Sequence, residues 1–87
     1  MTLDAQAPHM TAERARLEAL RCHLGAQLAV YRTAAVVSQP QLGQALGRTR
    51  STVSKIEHGT RGMPAPLWTI ADDLCDAGGV LVAEYER

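Results

Sequence analysis

The strongest constraint on this chain is the punctuation of residues 38–59, SQPQLGQALGRTRSTVSKIEHG. Ser38 is a good helix N-cap, and Pro40 falls in the first turn, where a missing N–H costs nothing. Leu42, Ala45 and Leu46 make one short apolar face. Gly47 ends that helix and permits the left-handed backbone of a sharp corner. Thr49 then caps a second helix in which only Val53 and Ile56 are strongly apolar, and Gly59 stops it. Two helices of about seven and nine residues across a glycine-containing corner have the length and punctuation of a helix-turn-helix.

The flanks are helical too. Thr11 can cap a first helix, along which Leu17, Leu20, Leu24, Leu28 and Tyr31 recur at helical spacing. After the loop GTRGMPAP, Pro66 can start a fourth helix with the stripe Leu67, Ile70, Ala71 and Leu74. Trp68 lies off that stripe, at the core edge or on a partner surface. Gly78 and Gly79 end it, and VLVAEYER reads as a last short helix, with an edge strand as the competitor. Residues 1–10 contain Pro8 and little pattern and read as a disordered arm, which leaves residues 11–87 as one domain with its helix-turn-helix at 38–58. The expected fold class is all-α, a compact bundle of four to five helices. Composition agrees: alanine and leucine dominate an apolar content of 46%, aromatics are only 3%, and Phe is absent, which favours helices over strands.

Several function classes are disfavoured. Cys22 and Cys75 form no disulfide framework and no C-x-x-C pair, and are expected to be small apolar fillers. His9, His23 and His58 lack metal-ligand spacing, so neither metal nor cofactor is expected. No nucleophile motif such as G-x-S-x-G occurs, and an enzyme is not expected. With neither a membrane-length apolar run nor a secretory signal in MTLDAQAPHM, the expected location is the cytoplasm, at the nucleoid.

Net charge is zero, but it is unevenly spread. Residues 38–62 carry +3 and residues 63–87 carry −4. A basic middle against an acidic end is the footprint of a polyanion partner. A helix lying in the major groove of DNA can bury only one edge in its own protein. Its opposite edge must offer donors and acceptors to bases and phosphates. Val53 and Ile56 supply the buried edge, and Arg50, Ser51, Ser54 and Lys55 the outward one. The helix N-terminus adds partial positive charge and free N–H groups suited to phosphate.

The same residues, with Pro64 and LWTIADDL after them, resemble the lambdoid-repressor-like, or XRE-type, helix-turn-helix regulators over roughly residues 20–75. Arg32 stands six residues before Ser38-Gln39, and Leu42, Gly47, Val53, Ile56, Glu57, Gly59, Leu67, Ile70, Ala71 and Leu74 fall in register without a gap. The tail GGVLVAEYER resembles those of actinobacterial members. The resemblance implies a sequence-specific regulator of double-stranded DNA, a repressor acting as a homodimer, that reads the major groove with helix 50–58. It implies base-reading roles for Arg50, Ser51 and Lys55, and DNA-backbone contacts for Gln39, Thr49, Thr52, Ser54 and Arg61. It also implies a structural pair, Arg32 with Glu57, joining the first helix to the recognition helix. Two positions depart from the pattern. Val36 stands where many members have glycine, so the exit from the first helix must differ or be strained. Ala65 replaces a usual capping Ser.

Two other readings share these residues. One is an antitoxin that binds its own operator and holds a toxin as protein partner. The other is a protein-interaction module that has lost DNA binding, favoured by the zero total charge and opposed by Arg50 and Lys55 on one edge. For the homodimer, two surfaces are to spare: the upstream stripe Leu17/Leu20 and the tail with Val80, Val82 and Tyr85, of which the tail with the fourth helix is favoured.

Overall fold

The fold is a computed structural model that describes residues 11–87 in full and, over residues 2–10, the backbone of the first helix only. The arm expected over residues 1–10 lies outside the fully described residues. Five helices follow one another, and the described residues contain no strand: α1 (Thr2–Ala34), α2 (Gln39–Leu46), α3 (Arg50–Glu57), α4 (Ala65–Leu74) and α5 (Val80–Glu86). Thr11 therefore sits inside α1 rather than at its cap, and the tail is a helix.

The core lies where α1, α2, α3 and α4 converge, closed at one end by α5. It is built from Leu24 and Leu28 of α1, Leu42 and Leu46 of α2, Val53 and Ile56 of α3, Trp68, Ala71 and Cys75 on and just after α4, and Leu81 of α5, with Met63 and Ala77 from the connections. With no Phe in the chain, Trp68 is the one large aromatic at the centre, and its indole Nε1 donates to the Met63 carbonyl at 3.1 Å. Tyr85 of α5 packs over it, ring centroids 6.0 Å apart.

Two expectations about side-chain direction are corrected. α4 is rotated from the expected stripe: Trp68, Ala71, Asp72 and Cys75 face inward, while Ile70 and Leu74 are 40% and 39% exposed. Ala45 of α2 is exposed as well. The cause in α4 is Asp72. Its carboxylate accepts from the backbone N–H groups of Gly79 at 2.8 Å, Leu81 at 2.9 Å and Val82 at 3.3 Å. The first N–H groups of a helix have no partner within it, and a carboxylate there is favoured by the helix dipole. Gly79 has no side chain to cap α5, so Asp72 caps it from α4 and turns that helix with it.

The cysteines also divide. Cys75 is the buried filler expected, and burial pushes its thiol pKa up, so it stays neutral at neutral pH. Cys22 is exposed, which corrects the filler reading there.

The corner between α1 and α2 carries the strain that its sequence suggested. Val36 has φ of 58°, in the left-handed region, and is 88% exposed. A β-branched L-residue pays about 1–2 kcal/mol in that conformation, and no burial offsets it. Replacement by glycine removes the clash but adds about 0.5–1 kcal/mol of chain entropy to be lost on folding. Val36→Gly should therefore raise the unfolding free energy by about 0.5 kcal/mol, read as a higher urea midpoint with unchanged slope.

Candidate nucleic-acid interface

α3 is short, and its placement depends on what holds its two ends. At the start, the Thr49 hydroxyl oxygen accepts from the Thr52 backbone N–H at 3.1 Å. Thr49 in turn donates its hydroxyl to that of Thr52, also at 3.1 Å. The preceding helix is fixed in the same way by a capping box. The Ser38 hydroxyl accepts from the Gln41 N–H at 3.1 Å, and the Gln41 side chain accepts from the Ser38 N–H at 2.8 Å. Gly47, at φ 67°, makes the corner between them.

At its far end, α3 is pressed against α1 through glycine. A Cβ on Gly25 would lie 2.2 Å from the Ile56 carbonyl oxygen and 2.5 Å from that of Glu57, and one on Gly59 would lie 2.6–2.8 Å from Cys22 atoms. Gly25 in a helix interior costs about 1 kcal/mol against alanine. Here it allows the two backbones to approach as no other residue would. Sequence reasoning passed over Gly25. The available signal was an isolated glycine in the middle of a leucine stripe.

Beside this contact sits a buried ionic cluster. The Glu57 carboxylate accepts two hydrogen bonds from Arg32, from Nε at 2.5 Å and from Nη2 at 3.2 Å, and a third from the Gln39 side-chain amide at 2.9 Å. Arg32 also donates through Nη1 to the Val37 carbonyl at 2.8 Å. One cluster thus ties the end of α1, the α1–α2 corner, the start of α2 and the end of α3. The side chains of Arg32 and Glu57 are only 16% and 6% exposed. The hydrogen bonds to Glu57 raise the Arg32 pKa, outweighing the opposite effect of burial, so the guanidinium stays charged.

The outward side of α3 is of a different character. Val53 and Ile56 are 0% and 3% exposed, while Arg50, Ser51 and Lys55 are exposed, and Ser54 is half-buried. At about 100° per residue, Ser51, Ser54 and Lys55 stand opposite the Val53/Ile56 edge, with Arg50 at its flank. None of Arg50, Ser51 and Lys55 has a side-chain partner among the described residues. The other residues singled out in the sequence are placed less uniformly. Thr52 is half-buried and Thr49 is a cap. The Gln39 amide is engaged by Glu57, so its donor points into the cluster. Arg61 is exposed in the loop after α3, on the rim of an apolar groove it shares with Leu17, Leu20 and Arg21. Arg48 adds a basic side chain at the helix corner that sequence reasoning counted in the charge of residues 38–62 but not among the contact residues.

The burial of the cluster decides its energetic weight. An exposed pair would contribute ~0–1 kcal/mol, whereas breaking a buried one leaves an uncompensated charge and costs about 3 kcal/mol or more. Glu57→Ala should thus lower stability by about 3 kcal/mol in urea unfolding. The double variant Arg32→Ala, Glu57→Ala should lose at least about 1 kcal/mol less than the sum of the single losses.

Comparison with curated proteins and with solved structures finds no match in either. A model of the helix-turn-helix domain matches residues 23–85, from the last third of α1 to Tyr85 in α5, and so takes in α2, α3 and α4 whole. The chain belongs to the helix-turn-helix domain family.

Proposed function

We propose that this chain is a sequence-specific double-stranded DNA-binding transcriptional regulator of XRE type, a repressor that lays α3 in the major groove and acts as a homodimer. One observation carries the reading: α3 buries Val53 and Ile56 and leaves Arg50, Ser51 and Lys55 exposed on its other side, without side-chain partners among the described residues. In this reading Arg50, Ser51 and Lys55 reach base edges, since guanidinium and ammonium groups match the acceptors of guanine. Thr49, Thr52, Ser54 and Arg61 meet the DNA backbone around them. Gln39 has a composite role. Its amide is held by Glu57, which fixes the start of α2. Pro40 has no N–H and those of Gln41 and Leu42 bond to Ser38, so the backbone N–H of Gln39 is the one left in that first turn to meet phosphate. The five acidic residues Asp72, Asp73, Asp76, Glu84 and Glu86 belong to α4, α5 and the turn between them, not to the α2–α3 unit. Two half-sites about one helical turn (~34 Å) apart, or a multiple of it, follow from two-fold pairing.

Selection of bound duplexes from a random pool tests the proposal, and enrichment of a two-fold sequence is expected. Lys55→Ala and Arg50→Ala should each weaken binding to the selected site by about 1–3 kcal/mol and relax base preference at one position per half-site, with melting unchanged. Arg61→Ala should weaken all sequences alike and lower the log–log salt slope by roughly 0.9. A pool from which nothing is enriched would instead favour an interaction module.

A further inference from the structure

α1, α4, α5 and the loop after α3 border a groove of about 410 Å³. Its floor is the domain core: Leu24, Ile56, Met63 and Trp68 are buried and belong to its lining. Leu17 and Leu20 of α1 continue the apolar surface outward, and Tyr85 lines it from α5. Small-molecule sites have this size, about 300–1,000 Å³. They also have this make-up, an apolar lining with a few polar groups, and they occur between the helices of bundles.

The charged groups of this groove are of one sign. Arg21 and Arg61 line it, and among the described residues no acidic side chain does. Arg21 is half-buried, its guanidinium against Gly62, the residue next to Arg61. Neither arginine has a side-chain hydrogen bond or an ion pair among the described residues. A guanidinium grips a carboxylate through two parallel N–H donors, and it is weakly enough hydrated to do so at an apolar edge. The hollows elsewhere on the domain lack this combination. The one at Leu74 has no charged side chain in its lining, and the one between α4 and α5 is lined by Asp72, Asp73, Asp76 and Glu86. The apolar floor also selects among anions. A bare phosphate or an acidic peptide would satisfy the arginines and leave that floor against water.

We infer that this groove binds a small amphiphilic carboxylate, its apolar chain along Leu20 and Trp68 and its carboxylate held by Arg21 and Arg61. The site goes beyond the DNA reading of α3 and does not depend on it. Its consequence does rest on that reading: Arg61 is the residue given above to the DNA backbone, so an occupied groove withdraws that contact and makes the carboxylate an effector of DNA binding.

The experiment titrates decanoate, below its micelle concentration, into the full chain without DNA. Trp68 is the one tryptophan of the chain, so its emission reports on the groove floor, and calorimetry gives the stoichiometry. One decanoate per chain is expected, bound at least about tenfold more tightly than decanol, which has the same chain and no charge. Arg21→Gln and Arg61→Gln should each weaken decanoate about fivefold and leave decanol unchanged. Leu20→Gln should weaken both about threefold. All three side chains lie outside the core, so thermal melts should stay cooperative. Absence of saturable binding, equal affinity for decanoate and decanol, or variants that bind as tightly as the wild type overturn the inference. A second titration, with a duplex selected as above, should show decanoate weakening DNA binding. An unchanged DNA affinity overturns the effector role and leaves the site standing, because the first titration contains no DNA.

Discussion

The arrangement of this domain depends on the buried carboxylate of Glu57. It accepts from Arg32 of α1 and Gln39 of α2 while sitting at the last turn of α3. Apolar packing is non-directional, so Val53 and Ile56 could be buried at more than one rotation of so short a helix. Hydrogen bonds of fixed geometry remove that freedom. The bidentate grip of a guanidinium orients the end of α3 against the end of α1, and the Arg32 bond to the Val37 carbonyl carries the orientation across the corner into α2. Buried ion pairs add little net stability compared with apolar substitutes, and their best-attested use is to select one arrangement. That is the role assigned to this one.

The glycine contacts complete the positioning. Gly25 and Gly59 let α1 and the end of α3 meet backbone to backbone, at distances that a single methyl group would forbid. α3 is thus capped by Thr49 at one end and clamped at the other, with one edge buried. On the remaining edge Arg50, Ser51 and Lys55 stay exposed. A helix held at both ends presents side chains at fixed spacing, which base-edge recognition requires. Asp72 does comparable work at the opposite side of the domain, holding α5 and through it Tyr85 over Trp68.

The helix-turn-helix was legible because its signals are local. Ser38, Gly47 and Thr49 act on their own backbone neighbours, and Gly59 on the end of α3, so their residue types alone reveal the elements. The rotation of α4 was not legible. A stripe of Leu67, Ile70, Ala71 and Leu74 is apolar enough to be core, but the direction of that helix is set by Asp72 bonding to backbone seven to ten residues later. Nothing in the local pattern reports a capping acid that acts on another helix. The same holds for Gly25, whose reason is a carbonyl more than thirty residues away, and for the depth of Glu57, which charge alone would place at the surface. Val36 was legible through the family resemblance, which puts glycine there and implies a different or strained exit from α1, and its φ of 58° is the strained outcome.

The central claim is that the open edge of α3 is where DNA lies. The direct measurement is a map of backbone amide shifts in the labelled protein as a short duplex is added at low salt, where sequence-independent contact already brings the surfaces together. The account predicts that the shifts gather at the first turn of α2 and at Arg50, Ser51, Ser54 and Lys55, with Asp73, Asp76 and Glu86 unmoved. Shifts concentrated on α4 and α5, or absent from α3, would contradict it.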